Sequence, residues 1–388
     1  MKLHEYQAQR LLSQYGVPVP GGQVATTVAQ VRRIAERLGG RVVLKAQVLT
    51  GGRGRAGGIR LVDDADEAER LARQMFGMNI HGYTVSKILV NEAVDIEREV
   101  YLGIALERHT AQPVLLASVV GNVEIAQVAR DTPERVWQIR IDPLLGLRVY
   151  QARELAYHIG LAHELIRVFQ SIAMGLYRAF RDNDALWVEV NPLAICSGDR
   201  MVSVDARMIV DDNALFRHEA LADMRDETQE TWFEQLARRY SIDYVSLGGS
   251  VGCVANGAGL AMATMDLLRS CGVRPSCFID LGGGTKAEQV SVALRLAFAN
   301  QPQAVLFNVF GGITRCDEVA AGIVSACQEL APRAPLVVRL AGWNASAGQA
   351  LLSPAGVCLA RSTQDAVRQV AALVRTTAAP SPATEVRR

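Results

Sequence analysis

The chain holds 388 residues, 49% of them hydrophobic, with 41 basic against 40 acidic side chains. That length supports two or three domains with sizeable cores, and the balanced charge excludes a global field that would gather nucleic acid or an acidic membrane surface. The longest uncharged run, residues 244–265, is broken by glycines and polar side chains and is poorly matched to a hydrocarbon core, so no membrane partner is expected.

In chain order, residues 4–15 read as an amphipathic helix ended by Gly16, without the apolar core of an export signal. All seven cysteines stand at Cys196 or later and none has a metal-binding spacing, which suits packed, reduced thiols. A cytoplasmic protein is expected. Thr27 caps a second helix running to Leu38. In the strand VVLKAQV, residues 42–48, the apolar residues share one face and leave Lys45 and Gln47 on the other.

GGRGRAGG at 51–58 then leads straight into a second strand, IRLV. A Rossmann or Walker loop needs a helix to open after its glycines, so neither motif fits. A glycine hairpin between strands can instead fold over nucleotide phosphates, with backbone N–H groups and an arginine as donors. Lys45 one strand earlier stands like a phosphate-reaching lysine, or alternatively like a snorkelling edge lysine. Asp63 or Asp64 caps a helix to about Phe76.

Three strands follow, at 87–93, 97–106 and 113–119, with Glu97, Glu99 and Tyr101 on a common face. Helices occupy roughly 151–181, broken near Gly160, and deliver the chain to ALWVEVNPLAICSGDRMVSVDAR at 185–207. This stretch reads as a hairpin turned by Ser197 to Arg200. Val188 and Val190 face one way; Glu189 and Asn191 face the other, as do Ser203 and Asp205 on the return strand. Such oxygen donors suit Mg²⁺ with water and substrate phosphates; by itself the hairpin is equally a solvated face. A lysine, a glycine lid and a metal hairpin in this order are the organisation of an ATP-grasp fold.

Residues 211–243 are charged, mainly helical and connecting. From Val251 five units repeat one grammar of apolar strand, glycine-bearing turn and helix, which predicts a parallel doubly wound sheet with ligands at the carboxyl ends of its strands. The resulting division is 1–235, an ATP-grasp nucleotide-binding domain; 236–375, a flavodoxin-like domain; and 376–388, a disordered tail. The six histidines all precede residue 219, so the second domain has no imidazole.

The chain closely resembles the β subunits of succinyl-CoA synthetase, the ADP-forming succinate–CoA ligase. HEYQA at 4–8, GGRG at 51–54, VEVNPL at 188–193, DNALFR at 212–217, NGAGLAMATMD at 256–266, GGG at 282–284 and FGGITRCD at 310–317 carry the likeness and are colinear with that family. The resemblance implies that Lys45, Gly52, Arg53, Gly54 and Glu99 bind ATP or ADP, and that Asn191 and Asp205 ligate its Mg²⁺. Glu189 is implied as the catalytic glutamate beside the phosphate while it sits on a histidine. Asn256 and the turn Gly312, Ile313 and Thr314 are implied to hold the acid's carboxylate.

It further implies an α subunit as partner, carrying the phosphorylated histidine and the CoA site. The chain departs from the family pattern at Leu49–Thr50, Arg55, Asn91, Ala206–Arg207, Thr314, Ala341 and Trp343. Thr314 and RLAG also resemble malate–CoA ligase β subunits, which keeps malate open beside succinate. A stand-alone ATP-grasp carboxylate–amine ligase would leave the five βα units unused, and the retention of Lys45, Glu189, Asn191 and Asp205 counts against a nucleotide-binding regulatory subunit whose catalysis has lapsed.

Overall fold

In a computed structural model of the chain, residues 1–378 are described. The chain forms two compact units, Met1–Gln229 and a second from Glu230 onward, so the division falls ahead of residue 235 and the helix Trp232–Arg239 belongs whole to the second unit.

The first unit contains two main antiparallel sheets and a two-stranded ribbon of Asn79–Ile80 with Tyr83–Thr84. One main sheet runs Gly22–Ala25, Ile88–Glu92, Val42–Ala46, Ile59–Val62 in spatial order. Val42, Leu44 and Ala46 are buried with the helices Val28–Leu38 and Ala65–Met75 over one face. Both helices start where polar caps dictate: Thr27 Oγ1 accepts from the Gln30 N–H at 3.3 Å and Asp64 Oδ1 from the Glu67 N–H at 2.8 Å. Lys45, paired with Ile59 on one side and Leu89 on the other, sits on an interior strand, which removes the edge-lysine alternative.

The second sheet is broader. Its backbone is the long strand Ala185–Cys196, paired on one side with Arg98–Glu107 and on the other with Arg200–Ser203 and then Ala206–Val210. The expected hairpin is therefore the margin of a six-stranded sheet, and its return half is split at Val204–Asp205. The helix His163–Asp182 covers this sheet with Leu165, Phe169, Ile172, Leu176 and Phe180, an i, i+3/i+4 stripe. Each such large side chain contributes about 1.5–3 kcal/mol by leaving water. At Gly175 a Cβ would stand 2.6 Å from the Tyr15 carbonyl oxygen, so the N-terminal helix can approach only a glycine there.

The second unit is a six-stranded sheet in the order Asp243–Ser246, Pro275–Asp280, Val251–Ala255, Ala304–Gly311, Leu336–Gly342, Cys358–Leu359. The last five are mutually parallel and, numbered along the chain, lie 2-1-3-4-5, the flavodoxin-like order. Helices Ala258–Ser270 and Thr363–Ala378 cover one face; Ala287–Ala299, Cys316–Leu330 and Ala345–Leu352 cover the other. The sheet is not wholly parallel as expected. Asp243–Ser246, at the end of the segment read as a connector, adds an antiparallel edge along Cys277 to Asp280. The last helix extends to Ala378, so the expected tail 376–388 loses its first residues to it, and the remainder lies outside the described residues.

Candidate functional site

In the first unit the two sheets bring together residues distant in sequence. Lys45 Nζ donates to Glu5 Oε1 at 2.8 Å and to the Val204 carbonyl at 2.6 Å. Arg53, projecting from the glycine loop, donates to the Ala46 carbonyl at 3.1 Å and lies 2.7 Å from both Glu5 Oε2 and Asp205 Oδ2. Two cations and two carboxylates thus form one closed group. The loop folds on itself to place that arginine: the Gly58 N–H donates to the Arg53 carbonyl, and a Cβ at Gly58 would lie 2.6 Å from Ile80 Cδ1.

The charges divide unequally. Burial raises the pKa of Glu5, but Lys45 and Arg53 together outweigh it and hold the carboxyl below its ordinary value. Burial likewise pushes Asp205 up, and here Arg53 does not fully reverse it. For Arg53 itself burial opposes the charge, yet Asp205 and Glu5 keep the guanidinium above its ordinary value. Taking one member out of such a group would strand a buried charge, at a cost of about 3–5 kcal/mol.

Asn191 lies next to Asp205, its N–H donating to the Asp205 carbonyl at 3.0 Å. Its side chain is oriented by a neighbouring loop: Oδ1 accepts from the Asn122 N–H at 2.7 Å and Nδ2 donates to the Val123 carbonyl at 2.9 Å. Glu189, 12% exposed, accepts from the Tyr101 hydroxyl at 3.0 Å and faces Arg207 at 3.7 Å. Burial raises its pKa, and Arg207 and Tyr101 offset only part of that. Tyr101 reaches Glu189 by lying over Gly103, where a Cβ would meet its hydroxyl at 2.4 Å; Gly103 is the residue that pairs directly with Glu189.

Glu99 shares that face two residues earlier, packed against Gly121. Among the described contacts it joins neither Glu189 nor the Lys45 group. Asn91, buried, points its Nδ2 toward the Pro20 and Gly21 carbonyls at 3.5 Å and leaves its Oδ1 without a partner; the adjacent Glu92 is exposed and accepts from the Gly21 N–H.

In the second unit, the topological switch point falls between Val251–Ala255 and Ala304–Gly311. Asn256 follows the first strand and residues 310–314 follow the second. Asn256 Nδ2 donates to the Phe310 carbonyl and its Oδ1 accepts from the Phe310 N–H, both at 2.8 Å. Thr314 Oγ1 accepts from the Gly284 N–H at 3.0 Å and from Asn256 Nδ2 at 3.4 Å, and the residue is 1% exposed. It precedes the cap of helix Cys316–Leu330, which is Arg315, so Thr314 is not the cap itself. Asp280 Oδ1 draws in the N–H groups of Gly257 and Gly282. Ile313 is 75% exposed, while Arg315 covers the Trp343 ring at 5.6 Å. Three glycine turns are thereby fastened to one another around an open rim.

Comparison with known proteins decides the family. Residues 2–195 match the ATP-grasp domain family and residues 254–373 the CoA-ligase family. The chain is 47% identical over 371 residues to "Succinate--CoA ligase [ADP-forming] subunit beta" of Roseiflexus sp. (strain RS-1), covering 95% of this chain and 98% of that one. It is 46% identical over 377 residues to the protein of the same name from Chloroflexus aurantiacus (strain ATCC 29366 / DSM 635 / J-10-fl), covering 97% and 99%. This chain belongs to the succinate–CoA ligase β-subunit family. It is a subunit of an acid–CoA ligase. The fold is also that of ATP citrate lyase from Methanothrix soehngenii, at a TM-score of 0.69 with 18% identity over 96% of this chain and 99% of that one.

Within this ligase subunit, no three His, Cys, Asp or Glu side chains among the described residues form a ready-made metal centre. Adjacent Asn191 and Asp205 supply one amide oxygen and one carboxylate, a donor set that fits Mg²⁺ completed by phosphates and water. No described helix is long and apolar enough to cross a membrane. Sequence reasoning missed Glu5, and placed Tyr101 on the face of Glu99 without its tie to Glu189. Only the glycine opposite Glu189, leaving room for an aromatic hydroxyl, could have signalled that tie.

Proposed function

We propose that the first unit binds Mg·ATP through Lys45, Gly52, Arg53, Gly54 and Glu99, with Asn191 and Asp205 directed at the metal. The second unit holds the carboxylate of succinate at Asn256 and the Gly312–Thr314 turn. An α subunit completes the site with the histidine that is phosphorylated and with the CoA pocket. The observation that carries this reading is the convergence of Lys45, Arg53 and Asp205 from three separate elements onto one point. Bound Mg²⁺ would supply charge neutralisation at the phosphates.

The residues of this chain have distinct tasks. Lys45 and Arg53 orient the phosphates, with the donor fork of the arginine suited to two oxygens at once. Glu189 stands beside them as the carboxylate that meets the incoming histidine. In the second unit, the rim at Ile313 stands just before the start of a helix, where an anion is favoured, while the Gly312 N–H is held by the Phe310 carbonyl at 3.1 Å. The second unit has no histidine of its own, so a phosphohistidine acting beside the acid would be supplied by a partner. Succinate is favoured over malate because the hydroxyl of Thr314, the feature that pointed to a hydroxylated acid, is buried and bonded to Gly284 and Asn256. The free cysteines fit a cytoplasmic complex.

Co-purification with the α subunit, followed by ADP release with CoA and a panel of acids, tests this reading. Turnover with succinate and ATP well above malate and GTP is expected. Equal malate turnover would overturn the choice of acid, and turnover by this chain alone would overturn the need for α.

A further inference from the structure

The carboxylate of Glu5 is the fixed centre of the phosphate-facing group, although it touches none of the implied ligands itself. Glu5 is 4% exposed and is the first residue of the helix Glu5–Gln14, whose packing against the broad sheet holds its backbone. Its two oxygens are divided between two cations, Oε1 to Lys45 at 2.8 Å and Oε2 to Arg53 at 2.7 Å. Gln9 Nε2 donates to Oε1 at 3.2 Å and Gln47 Nε2 approaches Oε2 at 3.5 Å, so the carboxylate has its rotamer fixed from both sides. Asp205, the other carboxylate, holds only Arg53 among the described residues and is 31% exposed.

The two acids are therefore not equivalent. Asp205 lies at the open side, where a metal would draw on its carboxylate and a phosphate would compete with it for Arg53, whereas Glu5 is sealed from solvent against both cations. A carboxylate in that position keeps an ammonium and a guanidinium at a set separation despite their mutual repulsion, which is what two phosphate ligands need before the phosphate arrives.

We propose that Glu5 is a positioning residue for nucleotide binding: it fixes Lys45 and Arg53 as a pre-formed pair for the phosphates of Mg·ATP and contacts neither nucleotide nor metal. This rests on the reading of Lys45 and Arg53 given above. A glutamine at position 5 keeps the shape and the two neighbouring amides but loses the charge and one acceptor. An aspartate keeps the charge but is one methylene too short to span both cations.

The test uses the reconstituted complex with the α subunit, comparing wild type, Glu5→Gln, Glu5→Asp and Lys45→Met. KM values for ATP, acid and CoA are measured, together with the affinity for a non-hydrolysable Mg·ATP analogue. Glu5→Gln is expected to raise the ATP KM and the analogue Kd tenfold or more, leaving the KM values for acid and CoA within twofold. Glu5→Asp should recover part of that loss. If the wild-type complex turns over with ATP but Glu5→Gln leaves the ATP KM within twofold, the positioning role is wrong while the functional reading stands. A parallel rise in all three KM values, or loss of folding in both Glu5 variants while Lys45→Met stays folded, would make Glu5 a residue of the fold and overturn the proposal. An inactive wild-type complex would instead overturn the functional reading.

Discussion

The two units build their sites from opposite materials. In the first, side-chain charges dominate: Glu5, Lys45 and Arg53, withdrawn from water, are joined in one group with the partly exposed Asp205, and Glu189 lies beside Tyr101 and Arg207. In the second, the turns are joined by neutral amides, one hydroxyl and backbone N–H groups, with Asp280 fastening two of them from below. On the function proposed above, the contrast follows from what each would hold. A polyphosphate with a divalent cation needs cations and carboxylates already desolvated and oriented. A small carboxylate at a helix start needs only donors at fixed spacing, which glycine turns provide once they are immobilised.

That contrast breaks most sharply at Glu189. Replacing it with glutamine is expected to slow phosphorylation of the α subunit roughly 10²-fold, the scale of a lost acid–base group, with nucleotide affinity unchanged. Rapid-quench measurement of α labelling checks this, and unchanged kinetics would return the glutamate to a structural role. A smaller effect is expected from Thr314→Val in the second unit. Losing the bonds to Gly284 and Asn256, worth about 1 kcal/mol, should raise the acid KM by about fivefold without moving the ATP KM. Thr314→Ser should behave as wild type. An ATP effect would contradict the separation of the two sites.

Much of this was legible in the chain. Period-2 alternation placed Lys45 opposite a buried face and Glu189 and Asn191 on a common one, and the strand–turn–helix grammar after Val251 predicted the parallel sheet. Glu5 was not legible. A glutamate in the first turn of an amphipathic helix reads as a solvated residue favoured by the helix dipole, and its partners at Lys45 and Arg53 arrive only through the packing of two sheets. The partners of Thr314 were hidden for a related reason: a hydroxyl in a glycine turn reads as free, whereas Asn256 and Gly284 reach it from other turns. The strand Asp243–Ser246 was too short to show a period beside its charged neighbours.

Two pH effects sharpen the contrast further. Tyr101 donates to the carboxylate of Glu189 and so favours its ionised form. Tyr101→Phe should move the acid limb of the phosphorylation rate to higher pH, because the already raised pKa of Glu189 loses one of its offsets. A pH–rate profile with an unmoved limb would remove Tyr101 from the site. The smallest effect is on stability. Burial holds His4 below its ordinary value of 6.5, against the opposing pull of Asp226, so the folded state favours the neutral ring. Its contribution is complete above pH 6.5 and is lost as pH falls from there through the lowered folded value, by up to about 1.4 kcal/mol per pH unit. The second unit carries no histidine, as all six precede residue 219. Thermal unfolding followed between pH 7.5 and about pH 5 should thus lower the transition of the first unit more than that of the second.

The most direct measurement is transfer of label from γ-labelled ATP in the reconstituted complex with Mg²⁺. Acid-labile label is predicted on the α subunit alone, and succinate with CoA should discharge it. Label retained on this chain, or no label on α in a complex that still makes the CoA thioester, would contradict a site whose nucleotide half lies here and whose phosphorylated histidine lies in the partner.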